Sequence, residues 1–195
     1  MMFRVLCISL VVWLAGCANV VKVEGEQIIH QRLAVTVTQP WNKVLLGHEG
    51  QPFESWTLDG LTLDHLRFWA AVKPGQSLAA GRAVVPAGGT APRVPTFRAG
   101  MTPDELVGLF EQLYAANGSI VTLGKTAPDR FAGLAAVRFE FTVVRKSDGV
   151  QMRGVGWVAV HRDELFASTF VAPRLSFFAR LLPRAEAVVS SARIL

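Results

Sequence analysis

The sequence predicts an α+β fold, an antiparallel β-sheet flanked by helices, and three observations predict it. Stretches alternating apolar and polar residues, rich in β-branched types, recur at 31–38, 135–145 and 150–160, the period-two signature of half-buried strands. Turn residues separate these stretches at hairpin spacing. One strongly capped amphipathic segment, opening at Thr102, carries helical periodicity instead.

In sequence order, residues 18–27 read as a short polar tether and the folded body starts near Ile28. Residues 31–38 (QRLAVTVT) form a strand ended by Pro40, because proline cannot donate to a ladder. Residues 54–58 continue the strand theme, and Asp59-Gly60 supplies a tight-turn signal before 61–72, placing the first hairpin there. Residues 73–100 are rich in Gly and Pro and read as a long surface loop, a length uncommon unless functional or disordered. Thr102 then opens a helix with Pro103 at its first position and Glu105 completing a capping box. Leu106, Leu109, Phe110 and Leu113 form its core stripe, and Asn117-Gly118 ends it.

Strands return at 120–123, 135–145, 150–160 and 165–171, connected by Ser147-Asp148-Gly149 and by the polar residues 161–164. After Pro173 the chain turns helical through Leu175, Phe178, Leu181 and Leu182. A last helix over 184–192 lays Ala185, Val188, Val189 and Ala192 on the sheet.

The N-terminus carries a different signal. Arg4 and the amino terminus precede an apolar core at 5–14, which ends in Leu14-Ala15-Gly16-Cys17. The core is half the roughly 20 residues that a membrane-spanning helix needs, and the sequence turns polar soon after Cys17. The tetrapeptide resembles the lipobox of bacterial lipoproteins. That resemblance implies cleavage between Gly16 and Cys17, with residues 1–16 lost as a signal peptide, and acylation of Cys17. Two or more acyl groups anchor a protein stably where one does so marginally. Ala18 and Asn19, in place of an aspartate after the cysteine, imply outer-membrane sorting in such proteins, with the periplasmic face expected.

With Cys7 discarded and Cys17 acylated, the mature domain has no thiol for a disulfide, metal or nucleophile, so its apolar core must carry stability alone. Of the 20 basic residues only Arg4 precedes Cys17, so the mature protein loses one unit from the full-length +5. The charges are dispersed, without the clustered patch that nucleic-acid binding requires.

The order of elements resembles the PsbP-like fold. The residues that carry the likeness are the Trp56-Thr57-Leu58-Asp59-Gly60 hairpin, Phe97 leading into Met101-Thr102-Pro103-Asp104-Glu105-Leu106, and Val137-Arg138-Phe139-Glu140-Phe141 before a glycine-containing strand. Members of that fold include accessory proteins of photosynthetic complexes and other partner-binding proteins. The likeness therefore implies binding more than catalysis, by analogy of fold.

No catalytic motif competes with this reading. His161-Arg162-Asp163-Glu164 is the densest polar cluster, but its composition is that of a hairpin tip. Gly124-Lys125-Thr126 matches the end of a phosphate-binding loop, yet Ser119 stands where the first glycine is required. His30, His48, His65 and His161 have no metal-ligand spacing, and no cofactor is expected. Trp69 and Trp157 read as core; Gly154 and Gly156 beside Trp157 suggest a close approach or bulge. Trp41 and Trp56, near turns, are candidates for a partner surface against the competing reading of core, and so are Arg82, Arg93 and Arg98, which make the long loop locally basic.

The expectation is a lipid-anchored, non-enzymatic module that binds a protein partner or envelope component. Two alternatives stand beside it: an envelope hydrolase using dispersed residues such as His161 and Asp163, and a carrier of a small apolar ligand with a cavity between sheet and helices.

Overall fold

The computed structural model describes residues 20–45, 51–79 and 94–195. Gly16, Cys17, Arg82, Arg93 and His48 lie outside them. The described residues form one domain built on a nine-stranded sheet in which every neighbouring pair is antiparallel. The strands are β1 (Val20–Ile29), β2 (Leu33–Val44), β3 (Phe53–Thr57), β4 (His65–Val72), β5 (Ile120–Phe131), β6 (Leu134–Val144), β7 (Gln151–His161), β8 (Glu164–Pro173) and the short β9 (Arg193–Ile194). Their spatial order is β1-β2-β3-β4-β8-β7-β6-β5, with β9 beside the start of β2. Two meanders thus meet where β4 pairs with β8.

Helix α1 (Pro103–Ala115) belongs to one face and α2 (Phe177–Ser190) to the other. Alternation along β4 shows this directly, with Leu66, Phe68 and Ala70 packing in the α2 core and Trp69 and Val72 in the α1 core. Each helix covers part of its face, so the sheet dominates the fold. Among the described residues no helix is long and apolar enough to cross a membrane.

Several elements form as their residues predict. Thr102 caps α1, accepting from the Glu105 amide at 3.4 Å while the Glu105 carboxylate accepts from the Thr102 amide at 2.8 Å. Arg162 and Asp163 both have positive φ (49° and 59°), as a two-residue hairpin turn between β7 and β8 requires. Gly154 and Gly156 on β7 are close-approach positions: a Cβ at either would overlap the Phe141 or Phe139 ring of β6.

Other elements differ. The tether expected at 18–27 is strand from Val20 onward, with Val23 and Ile29 buried; its polar residues belong to an edge strand with one wet side. Strand β2 does not end at Pro40. Val37 pairs with Gly25 and Trp41 with Val23, so Thr38, Gln39 and Pro40 bulge opposite Glu24, where a missing amide costs no ladder bond. The connection at Asp59-Gly60 runs on to Asp64, whose buried carboxylate accepts from the amides of Leu58 and Asp59 and from the Thr57 hydroxyl.

Strand β5 extends to Phe131 rather than Leu123. A bulge at Gly124-Lys125 keeps it in register, and Ala132-Gly133 (φ 52° and 81°) turns it into β6. The two expected C-terminal helices are one, containing Pro183, and Leu175 precedes it, 80% exposed. The long loop is no simple surface excursion at its ends, since Ser77 bridges to Thr96 while Leu78 and Phe97 are fully buried.

Candidate functional site

Period-two alternation puts His65, Arg67 and Trp69 on the α1 face of β4, so a cation enters a largely buried row. The register sets Ser55 of β3 and Thr169 of β8 directly on either side of Arg67. Tyr114, in the last turn of α1, comes down onto this row. Its hydroxyl lies 2.7 Å from Thr169 Oγ1 and 3.3 Å from His65 Nε2. The imidazole and phenol rings stack, with centroids 5.9 Å apart at 22°. Phe141, leaning over Gly154, packs 4.9 Å from Tyr114 and closes one side.

The Arg67 guanidinium is held from three directions. Nε donates to Ser55 Oγ at 3.2 Å, and the guanidinium carbon lies 4.8 Å from the Phe53 ring centre and 5.9 Å from that of Tyr114. It has no carboxylate partner among the described residues. Of the half-buried arginines, Arg32 and Arg145 each hold one and Arg138 holds two, while Arg184, likewise half-buried, donates to the Pro40 carbonyl.

Burial, reinforced by the positive charges of Arg67 and then Arg145, holds His65 well below the usual histidine range, so its ring is neutral. Its Nδ1 is buried without a hydrogen-bond partner; the Leu61 carbonyl bears on the ring without closing a bond of good geometry. Burial raises the Tyr114 pKa, opposed by the charge of Arg67 and by hydrogen bonding to Thr169 and Arg67, and the phenol stays protonated. Thr169 is fully buried, so the relay from imidazole to phenol to hydroxyl presents no nucleophile to solvent. The arrangement fixes a charge rather than activating an attacking group.

A cleft of about 130 Å³ lies between the β2 bulge and α2, lined by Thr38, Gln39, Pro183, Arg184, Ala187 and Val188. Here the expectation for Trp41 is corrected. Its ring is buried at 1% exposure, edge-on to Phe170 and covered by the Arg184 guanidinium 5.9 Å away. Trp56 is also no partner surface: it is fully buried against Phe68, with ring centres 5.0 Å apart. Both positions lie near turn residues in sequence but pack in the α2 core. Arg98 is exposed and pairs with Glu105 at 3.5 Å.

The remaining sequence candidates do not converge. His161 ends β7 and Asp163 lies in the β7–β8 turn, with no hydrogen bond or ion pair to each other, while Glu164 is held by Arg32 through bonds of 2.6 and 3.1 Å. Gly124-Lys125 is the β5 bulge, and Thr126 pairs with Phe139. Among the described residues no group of three or more His, Cys, Asp or Glu side chains could hold a metal. Arg67 and Tyr114 escaped the sequence reading, and the available signal was one charged residue at an inward position of HLRFW.

No protein-family model matches the sequence, and no curated protein matches it. Solved structures do. Cyanobacterial PsbP (CyanoP) from Synechocystis sp. PCC 6803 superposes with a TM-score of 0.56 at 12% identity, over 93% of this protein and 95% of that one. The yeast (Saccharomyces cerevisiae) Ran-binding protein Mog1p gives 0.50 at 9% identity, with 91% and 96% covered. A protein from Bacteroides thetaiotaomicron gives 0.50 at 11% identity, the match taking in 88% of the present sequence and 48% of that protein. At these identities the likeness is one of fold, and the fold this protein resembles is the PsbP-like fold.

Proposed function

We propose that the protein is a bacterial lipoprotein, acylated on Cys17 and held at the periplasmic face of the outer membrane, whose domain binds a protein partner without catalysing a reaction. The observation that carries the binding reading is the Arg67 guanidinium, fixed by Ser55, Phe53 and Tyr114 on a half-buried surface with no carboxylate partner among the described residues. Immobilising a charge this way costs nothing further when a partner arrives, which is how preorganised recognition gains affinity.

The fold likeness to Mog1p, described as a Ran-binding protein, supports a binding role by analogy. The carrier alternative meets an occupied interior. Between α1 and the sheet, Trp69, Phe110, Phe139 and Phe141 form a series of ring contacts at 5.1–5.8 Å. The hydrolase alternative has no paired His161 and Asp163 to work with.

Two arms test this reading. Labelling with an alkynyl palmitate should mark the wild-type protein in the outer-membrane fraction and fail with Cys17→Ser; equal soluble release of both overturns the anchor. Crosslinking in the native envelope, followed by purification, should give one stoichiometric adduct. A protein that stays monomeric, or that hydrolyses envelope substrates, overturns the binding role.

A further inference from the structure

Resting on the binding reading, we infer that the half-buried Arg67 guanidinium takes a carboxylate presented by the partner, either an acidic side chain or the partner's own C-terminus. Three features select that chemistry. First, the guanidinium uses Nε on Ser55, which leaves its two terminal nitrogens, shared among the described residues with the Tyr114 hydroxyl, as the edge that meets a carboxylate as a planar fork. Second, Phe53 and Tyr114 hold the plane on its aromatic sides and leave little freedom to lose on binding. Third, the surrounding polar groups are neutral or positive. His65 is an uncharged imidazole, the Tyr114 phenol is protonated, and Ser55 and Thr169 are hydroxyls.

Among the described residues no carboxylate pairs with Arg67. Arg145, the other cation acting on His65, is occupied by Asp148 through bonds of 2.6 and 2.9 Å. A single fixed guanidinium with hydroxyl neighbours suits a monoanion. A phosphate dianion calls for more positive charge than this row supplies.

The test is a titration of the 15N-labelled mature domain, residues 18–195, followed by NMR, with three probes: a blocked peptide bearing one internal glutamate and an amidated end, a peptide with a free C-terminus and no acid, and inorganic phosphate. Saturable shifts centred on Ser55, Arg67 and Tyr114 are expected with at least one peptide, and which peptide responds tells an acidic side group from a C-terminus. Arg67→Gln should weaken that binding by roughly tenfold or more, the loss of a charge-assisted pair. Arg67→Lys keeps the charge and loses the fork, so roughly fivefold weakening is expected. Arg162→Gln, at the β7–β8 turn, should change nothing.

If Arg67→Gln does not fold, Arg67→Lys decides the matter alone. Shifts centred elsewhere, binding indifferent to Arg67, or phosphate outcompeting both peptides at these residues overturn the inference. An envelope adduct that forms equally well with Arg67→Lys would leave the binding reading standing and sink only the carboxylate site at Arg67.

Discussion

Tyr114 and Thr169 share a 2.7 Å hydrogen bond that ties the last turn of α1 to β8, the strand where the two meanders meet. The bond also fixes the phenol against His65, so one hydroxyl organises three elements of the site. Tyr114→Phe removes it and leaves the Thr169 hydroxyl and His65 Nε2 without their partner. A loss of about 1–3 kcal/mol is expected in urea denaturation. Combined with Thr169→Val, the total should fall short of the sum of the single losses, because both remove the same bond.

Gly156→Ala places a methyl group inside the Phe139 ring, and Gly154→Ala does the same to Phe141. Each should destabilise by about 1–3 kcal/mol through overpacking, and Gly154→Ala should also displace Tyr114, which rests on Phe141. Gly149→Ala is the control. It meets no neighbour but has φ 70°, so its cost comes from backbone strain alone, about 1 kcal/mol. Denaturation midpoints and the Tyr114 ring resonances separate the two causes.

The depressed pKa of His65 makes stability depend on pH with a definite sign. The folded state resists protonation while the unfolded state accepts it near the ordinary value of 6.5, so the stabilisation is present above 6.5 and is lost as pH falls below it. The slope should approach about 1.4 kcal/mol per pH unit. Asp64, whose pKa burial raises, acts in the opposite sense and loses stability as pH rises above the ordinary carboxylate value. Comparing unfolding of wild type and His65→Gln from pH 7.5 to 5.5 isolates the histidine. Parallel curves would contradict the assignment.

Thr102→Ala removes half of the capping box on α1 and should cost about 1 kcal/mol. Because α1 carries Tyr114 at its other end, the exchange of amides in the first turn should rise while those around Tyr114 stay protected.

Fold class was legible because the later strands alternate cleanly and the α1 cap is encoded by Thr102, Pro103 and Glu105 in sequence. Edge elements were not. Val20–Ile29 and the second half of β5 carry Lys22, Glu24, Lys125, Pro128 and Asp129, a polar composition that looks like tether or loop until a neighbouring strand is present. The bulge at Pro40 was hidden for a related reason, since only the register with Val23 and Gly25 reveals that its amide is not needed. The site was hardest to see. Ser55, Arg67, Tyr114 and Thr169 come from three strands and a helix, and no spacing along the sequence links them. Trp41 and Trp56 misled because proximity to a turn does not decide which face a residue takes.

The central claim is that the domain meets its partner on the α1 face, at Arg67. A photo-crosslinking residue at Glu111, one turn of α1 before Tyr114, and another at the exposed Ala187 of α2 on the opposite face, read it in living cells. The account predicts one discrete adduct from position 111, lost when Arg67→Gln is added, and none from 187. An adduct from 187 alone, or one from 111 that survives Arg67→Gln undiminished, would contradict it.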